Sequence, residues 1–295
     1  MRRKAGAGAW VAGWAAVLLL LPALYQLSVS LMSPDEALAH PPAVFPAVPR
    51  VANYAAGARD LGLPGLLATT AVLAALTAAL QVLTGAAGAY ALARLRFPGR
   101  RPAVRMLPLL AAVPALALLV PRFVILDAWG WTGGFPALAA PGLVSAGAML
   151  FLYEVFRTLP RDSEEAARLD GAGEWTIFSK VALPQTRPAL AVVAGAAILS
   201  QWRGLLWPLV VTGRDGAPVV AELGLARAAV GAGGTPVPEV LAMGLTLAVP
   251  ALAVALGVAF ARARAARASA AGSSERELPV EVSALAAGPF EHHIL

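Results

Sequence analysis

No charged residue interrupts the chain from residue 61 to residue 93, where leucine, alanine, valine, glycine and threonine follow one another. A helix crosses the hydrocarbon of a bilayer with about 20 predominantly apolar residues, and backbone in that medium must satisfy its own hydrogen bonds. The stretch therefore dictates a membrane-spanning helix. Five further apolar runs of similar length lie at residues 10–31, 106–126, 137–156, 189–211 and 240–261, and with 65–93 they predict six spans. The third and fifth each hold one arginine, Arg122 and Arg203, and the sixth holds Pro250. A hydrophobic content of 59%, only 14% charged residues and a mean hydropathy of +0.71 exclude an ordinary soluble domain. With no cysteine, disulfides and thiolate metal sites are excluded as well.

The net charge of +6 would suit nucleic acid in a soluble chain, but its distribution here follows the spans. Of the 23 basic residues, only Arg50, Arg59, Arg214 and Arg227 fall between spans one and two, three and four, or five and six on the face opposite the N-terminus. Arg122 and Arg203 lie within spans, and the rest cluster on the N-terminal side. Lysine and arginine mark the cytoplasmic side, so both termini are placed inside and nucleic acid is excluded as a partner. The basic start, Met1-Arg2-Arg3-Lys4, and Ala37-Leu38-Ala39 imitate a cleaved leader, but the apolar run is too long and the small-residue site too distant. Span one is expected to stay. The organisation follows: residues 1–31 as entry and first span, 32–64 as an outer proline-rich loop, 65–261 as the core, and 262–295 as a cytoplasmic tail rich in Ser, Gly, Glu and Pro, expected to be mobile.

Between spans four and five, residues 157–188 form a polar hairpin reading Glu165-Ala166-Ala167, three residues, Gly171, nine residues, then Val181-Ala182-Leu183-Pro184. Asp162 with Glu165 three residues on reads as a capping box for a helix ending near Asp170, with Pro160 upstream. Gly171 and Gly173 permit a tight turn, and residues 174–182 form a second helix ended by Pro184 and held back by Pro188. Alanines 166 and 167 let another backbone approach closely, while Leu169, on the face of Ala166, supplies an apolar anchor. By periodicity alone the hairpin is an amphipathic connection.

This hairpin resembles the EAA loop of ABC importer permeases, with Val181 in place of the usual isoleucine. Two further strings agree with the carbohydrate-uptake branch of that family. Pro49-Arg50-Val51-Ala52-Asn53-Tyr54 is similar to its P-x-x-x-N-Y approach to the core. Tyr90-Ala91-Leu92-Ala93-Arg94-Leu95-Arg96-Phe97-Pro98-Gly99-Arg100-Arg101 is similar to its loop after span two, where Pro98-Gly99 forces a turn and the arginines meet lipid headgroups. The resemblance implies an all-α, six-span, type I ABC importer permease fold in the bacterial cytoplasmic membrane. It assigns Glu165, Ala166, Ala167, Leu169, Asp170, Gly171, Leu183 and Pro184 to contact with an ATPase. It also implies a second homologous permease, two ATPase subunits and an extracytoplasmic solute-binding protein as partners, with no cofactor, metal or catalytic residue in this chain.

The sequence carries no nucleotide site of its own: Lys4 follows arginine and Lys180 follows serine, so neither belongs to a Gly-Lys-Ser/Thr phosphate loop. His40 stands alone and His292-His293 lies close to the C-terminus, too few ligands for a metal. Arg122, near the outer end of its span, is expected to snorkel to the interface. Arg203 lies deeper and, with Trp202, is a candidate for the translocation path. The string Gln201-Trp202-Arg203-Gly204-Leu205-Leu206-Trp207-Pro208-Leu209 keeps the frame of the carbohydrate permeases but loses their asparagine, and Ala68-Thr69-Thr70 stands where span two usually opens with one. A cation at 203 suits an anionic solute such as a sugar phosphate, or equally a carboxylate on a partner. The rival is a secondary transporter driven by an ion gradient, which would bring ionisable groups to mid-membrane or show inverted repeats. Neither is evident in the sequence.

Overall fold

The computed structural model describes residues 7–212, 219–230 and 234–276. All regular structure among these residues is helical. In chain order the helices are α1 (Ala7–Ser30), α2 (Pro34–Ala37), α3 (Ala52–Asp60), α4 (Leu63–Arg94), α5 (Arg100–Ala112), α6 (Leu119–Ala128), α7 (Phe135–Ala139), α8 (Ala146–Thr158), α9 (Asp162–Leu169), α10 (Glu174–Thr176), α11 (Leu183–Gln185), α12 (Arg187–Trp202), α13 (Leu206–Thr212), α14 (Ala221–Ala229) and α15 (Val237–Arg276). A π-helical turn, Ile177–Ala182, joins α10 to α11.

Four segments are long and apolar enough to cross a membrane as they stand: Gly13–Ser30, Leu63–Arg94, Phe135–Thr158 and Val237–Ala261. Two further helix pairs are long and apolar enough only when joined across a bend, the first inside the expected third span and the second just before the expected fifth. Arg100–Ala112 and Ala115–Ala128 meet at 99°, and Glu174–Gln185 and Arg187–Trp202 at 79°. The first break follows from Pro114, which lacks an N–H and pushes Val113 into an extended conformation (φ −67°, ψ 122°). Residues 189–211 are also not one helix: α12 stops at Trp202, residues 203–205 are irregular, and α13 resumes at Leu206. The last helix runs on to Arg276, past the point at residue 262 where an irregular tail was expected. Residues 2–4, Arg214 and His292-His293 lie outside the described residues.

The 32 residues of α4 make a rod of ~48 Å at about 1.5 Å per residue. One end of it, around Leu63 and Leu73, packs with α14, α15 and the α7 segment, through Ala137, Leu138, Ala221, Leu223 and Met243. Its other end packs Ala86, Ala89, Tyr90 and Ala93 against Leu107 of α5, Leu152 and Phe156 of α8, Phe178 of the π turn and Val193 of α12. The proline-rich loop and the polar hairpin thus belong to opposite ends of one rod. Close helix crossings use small residues, as is general where lipid removes the hydrophobic gain of association. A Cβ on Gly195 of α12 would overlap the Val258 side chain of α15. Outward, Trp10, Trp14, Leu18 and Leu19 of α1 and Leu252, Leu256 and Phe260 of α15 are exposed, as a lipid-facing surface requires.

The P-x-x-x-N-Y string has a structural use. Asn53 is buried, and its Nδ2 donates to the carbonyls of Ser30 (2.9 Å) and Met32 (2.8 Å), acceptors left open where α1 ends. The Tyr54 hydroxyl lies 2.9 Å from Ser30 Oγ. Span one is thereby clipped to the entrance of the core.

Gly195→Ile should separate α12 from α15 and lower the stability of the detergent-solubilised chain by about 1–3 kcal/mol, the usual cost of overpacking. Denaturant unfolding would measure it, and an unchanged midpoint would contradict the close crossing.

Candidate functional site

The hairpin is built by a helix ending that only glycine makes easily. At the C-terminus of α9 the Gly171 N–H donates to Arg168 O (3.0 Å) and the Ala172 N–H to Ala167 O (3.0 Å), the paired bonds of a Schellman motif. Gly171 has φ +79°, the left-handed conformation that this ending needs. The start of α9 differs from the sequence reading. Asp162 is the first residue of the helix itself, Arg161 precedes it, and no side chain caps the N-terminus. The capping box with Glu165 is not formed; Asp162, Glu164 and Glu165 instead place negative charge in the first turn, where the helix dipole favours it. The second limb also runs further than expected, because the π turn carries the helix through Pro184 to Gln185.

The two faces of α9 differ sharply. Glu165, Ala166, Leu169, Asp170 and Gly171 are exposed, and Leu169 shows 90% of its surface. Trp175, at the start of the second limb, is 71% exposed. Ala167, Leu183 and Pro184 are half-buried, and Ala182 between them is fully buried against α12 and α8. The structure thus gathers Glu165, Ala166, Leu169, Asp170 and Gly171 at one tip and sets Leu183 and Pro184 at its base. Large apolar side chains at an exposed tip, flanked by carboxylates, fit a docking surface.

The opposite face holds what the sequence reading missed. Glu164, the neighbour of the motif glutamate, is 2% exposed. Its Oε1 lies 3.1 Å from Nε of Arg94, the last residue of α4, and both side chains are almost wholly buried. The Arg94 Nε–H has no well-aligned hydrogen-bond acceptor, so this contact is chiefly electrostatic, while Nη2 donates to Leu159 O at 2.8 Å. Nothing in the sequence distinguishes Glu164 from Glu165 except the helical face, and only tertiary packing decides which face is inward. Arg100 is likewise drawn in: its Nε donates to Leu92 O (2.7 Å) and its Nη2 to Ala93 O (3.2 Å), closing the end of α4. These two arginines serve the fold, where the sequence reading gave them to lipid headgroups.

Of the pair proposed for the translocation path, Trp202 is 8% exposed and donates from Nε1 to Leu247 O (3.0 Å), tying α12 to α15. Arg203 is exposed at the helix break and, with Trp202, lines a cavity of about 400 Å3 shared with Glu222 of α14, Gly244 and Ala248. Arg203 and Glu222 face the same cavity without closing into an ion pair. Arg122 is half-buried beside Trp129 and Trp131 in a separate cavity of about 410 Å3.

Residues 81–267 match the family of binding-protein-dependent transport system inner membrane components. The chain is 35% identical over 195 residues to the diacetylchitobiose uptake system permease protein NgcG of Streptomyces coelicolor, covering 65% of this chain and 64% of that protein, just under two thirds of its length. It is 31% identical over 210 residues to the trehalose transport system permease protein SugB of Mycobacterium tuberculosis, covering 70% of this chain and 76% of the relative. Its fold is similar to a chain in the crystal structure of a bacterial ABC transporter involved in the import of the acidic polysaccharide alginate. The TM-score is 0.71 at 21% identity, over 85% of this chain and 93% of that one.

Gly171→Ala should cost about 1–2 kcal/mol of local stability, the penalty of a left-handed backbone. The strain is purely conformational, since a Cβ there meets nothing within 4 Å. Hydrogen exchange of the Ala172 amide should accelerate by about 5–30-fold, and unchanged exchange would exclude the Schellman ending.

Proposed function

The chain belongs to the family of binding-protein-dependent transport system inner membrane components, ABC importer permeases that act with ATPase and solute-binding partners and are not themselves enzymes, and from that premise we propose that it forms half of a carbohydrate path. In this reading a second, homologous permease supplies the other half, two ATPase subunits sit on the cytoplasmic side, and an extracytoplasmic binding protein delivers solute. Both termini face the cytoplasm, as the arginine distribution favours.

The observation that carries the proposal is the hairpin's division into a locked face and a free tip. Glu165, Ala166, Leu169, Asp170 and Gly171 form the part that enters a cleft on the ATPase, with Leu183 and Pro184 bracing it. ATP-driven closure of the ATPase pair then brings the two hairpins together and switches the path between inward and outward access, a bistable rigid-body change. Family membership displaces the ion-gradient carrier weighed from the sequence.

For the solute, Arg203 and Glu222 share one cavity, so the carboxylate sought on a partner is present in this chain. A guanidinium and a carboxyl group lining one cavity offer hydrogen-bond donors and acceptors together, which suits a hydroxyl-rich sugar. The assignments of Arg203 and Trp202 to the path rest on this cavity.

Purified with the products of neighbouring genes, the chain should carry an ATPase with it. Glu165→Lys reverses charge at the tip and Gly171→Pro removes the N–H that closes α9, so each should abolish most solute-stimulated hydrolysis. An intact complex hydrolysing ATP equally well with both changes would refute the coupling role.

A further inference from the structure

Five side chains close a ring around the base of the hairpin. On α4, Tyr90 and Arg94 stand one turn apart; on α9, Glu164 and Arg168 stand one turn apart; Glu174 enters from the second limb. Arg94 Nε lies 3.1 Å from Glu164 Oε1, and Glu164 Oε2 lies 3.8 Å from Arg168 Nη2. Arg168 donates from Nε (2.8 Å) and Nη2 (3.2 Å) to the two oxygens of Glu174, a bidentate pairing. The Tyr90 hydroxyl donates to Glu174 Oε2 at 3.3 Å and returns the ring to α4.

Burying Arg94 and Glu164 together is expensive unless their surroundings repay the lost water. Two features do so. Arg94 ends α4 and Glu164 lies in the first turn of α9, so each charge sits at the helix end whose dipole favours it. The Leu159 carbonyl, at the end of α8, takes a further guanidinium N–H. Above the pair, the Tyr90 ring packs on Phe156 of α8 and Phe178 of the π turn, with centroids 5.6 and 5.0 Å away. The hairpin is therefore held to α4 at two heights along both helices, which opposes rotation as well as sliding. A single contact would leave it a pivot.

The geometry points to a rigid linkage: the Tyr90–Glu174–Arg168–Glu164–Arg94 ring makes α9 and α4 move as one body, so that displacement of the tip by the ATPase reaches the opposite end of the α4 rod. These are positioning residues, distinct from the tip that touches the partner. The inference rests on the proposed coupling role of the hairpin and adds the route by which motion leaves it.

The test uses the whole complex in proteoliposomes, measuring solute transported per ATP hydrolysed for Arg168→Ala, Glu174→Gln and the double variant. Both side chains are partly exposed, at 38% and 48%, so opening the ring there should spare assembly. Transport per ATP should fall about threefold or more, the scale of coupling changes from residues that contact neither ligand. The double variant should fall no further than either single one, because a ring is opened only once. Undiminished transport per ATP would overturn the linkage, as would additive losses, which place the residues on separate paths. Loss of assembly in all three variants would also overturn it, reducing the ring to a folding element. Glu165→Lys run alongside separates the two ideas: if it uncouples while the ring variants do not, only the linkage fails, and if no ATPase assembles with the unaltered chain, the coupling role itself fails.

Discussion

In hydrocarbon a backbone N–H or C=O without a partner costs several kcal/mol, so a chain that breaks its helices must supply each freed group from elsewhere. This chain breaks them repeatedly, and side chains from neighbouring and distant segments answer. Asn53 takes the carbonyls at the end of α1, Arg100 those at the end of α4, and Arg94 that of Leu159 after α8. Thr84 donates to Leu143 O before α8, Trp207 to Ala137 O, and Thr70 accepts from the Ala221 N–H where α14 begins. Several polar residues scattered through an apolar sequence thus serve as caps for other segments, while others, such as Thr69, Thr212 and Thr246, bond back to their own helix. The caps fix where the helices stop and how the stops face one another.

That use explains which parts of the structure could be read in advance. The number and order of apolar segments follow from length and hydropathy alone, since the bilayer thickness sets a minimum that few other folds meet. The bends do not follow. Pro22, Pro108 and Pro250 all sit inside helices that continue, whereas Pro114 accompanies a 99° bend. A proline's local effect is the same in each case; whether neighbours re-satisfy the freed carbonyl is a tertiary matter. The break at Arg203 was hidden for the same reason, because Trp202 to Leu209 reads as apolar sequence apart from one charge.

The hairpin shows the limit at the scale of one residue. Its turn was legible, because Gly171 answers a backbone requirement that travels with the sequence. Its inward face was not, because Glu164 and Glu165 are chemically identical and differ by about 100° around a helix of 3.6 residues per turn. Tyr90 and Arg94 stood in a motif noticed for its charge, yet their partners lie across the fold. Sequence spacing could pair each with the other and with nothing on α9.

Charge bookkeeping around α9 then constrains what meets the tip. Glu164 is neutralised by Arg94, and Glu174 by Arg168, so the carboxylates left for a partner are Asp162, Glu165 and Asp170. Hydrogen bonding to Glu174 also strengthens the Arg168 guanidinium's hold on its proton, keeping that cation committed within the hairpin. The exposed surface of α9 thus carries carboxylates beside apolar Leu169 and Trp175, with exposed Arg161 just before the helix and exposed Lys180 on the second limb. Had Arg168 been free, one more cation would stand among the carboxylates of α9 and offset part of their charge. By pairing Arg94 with Glu164 and Arg168 with Glu174, the fold ties the base of the hairpin together and leaves the exposed carboxylates of α9 to Asp162, Glu165 and Asp170.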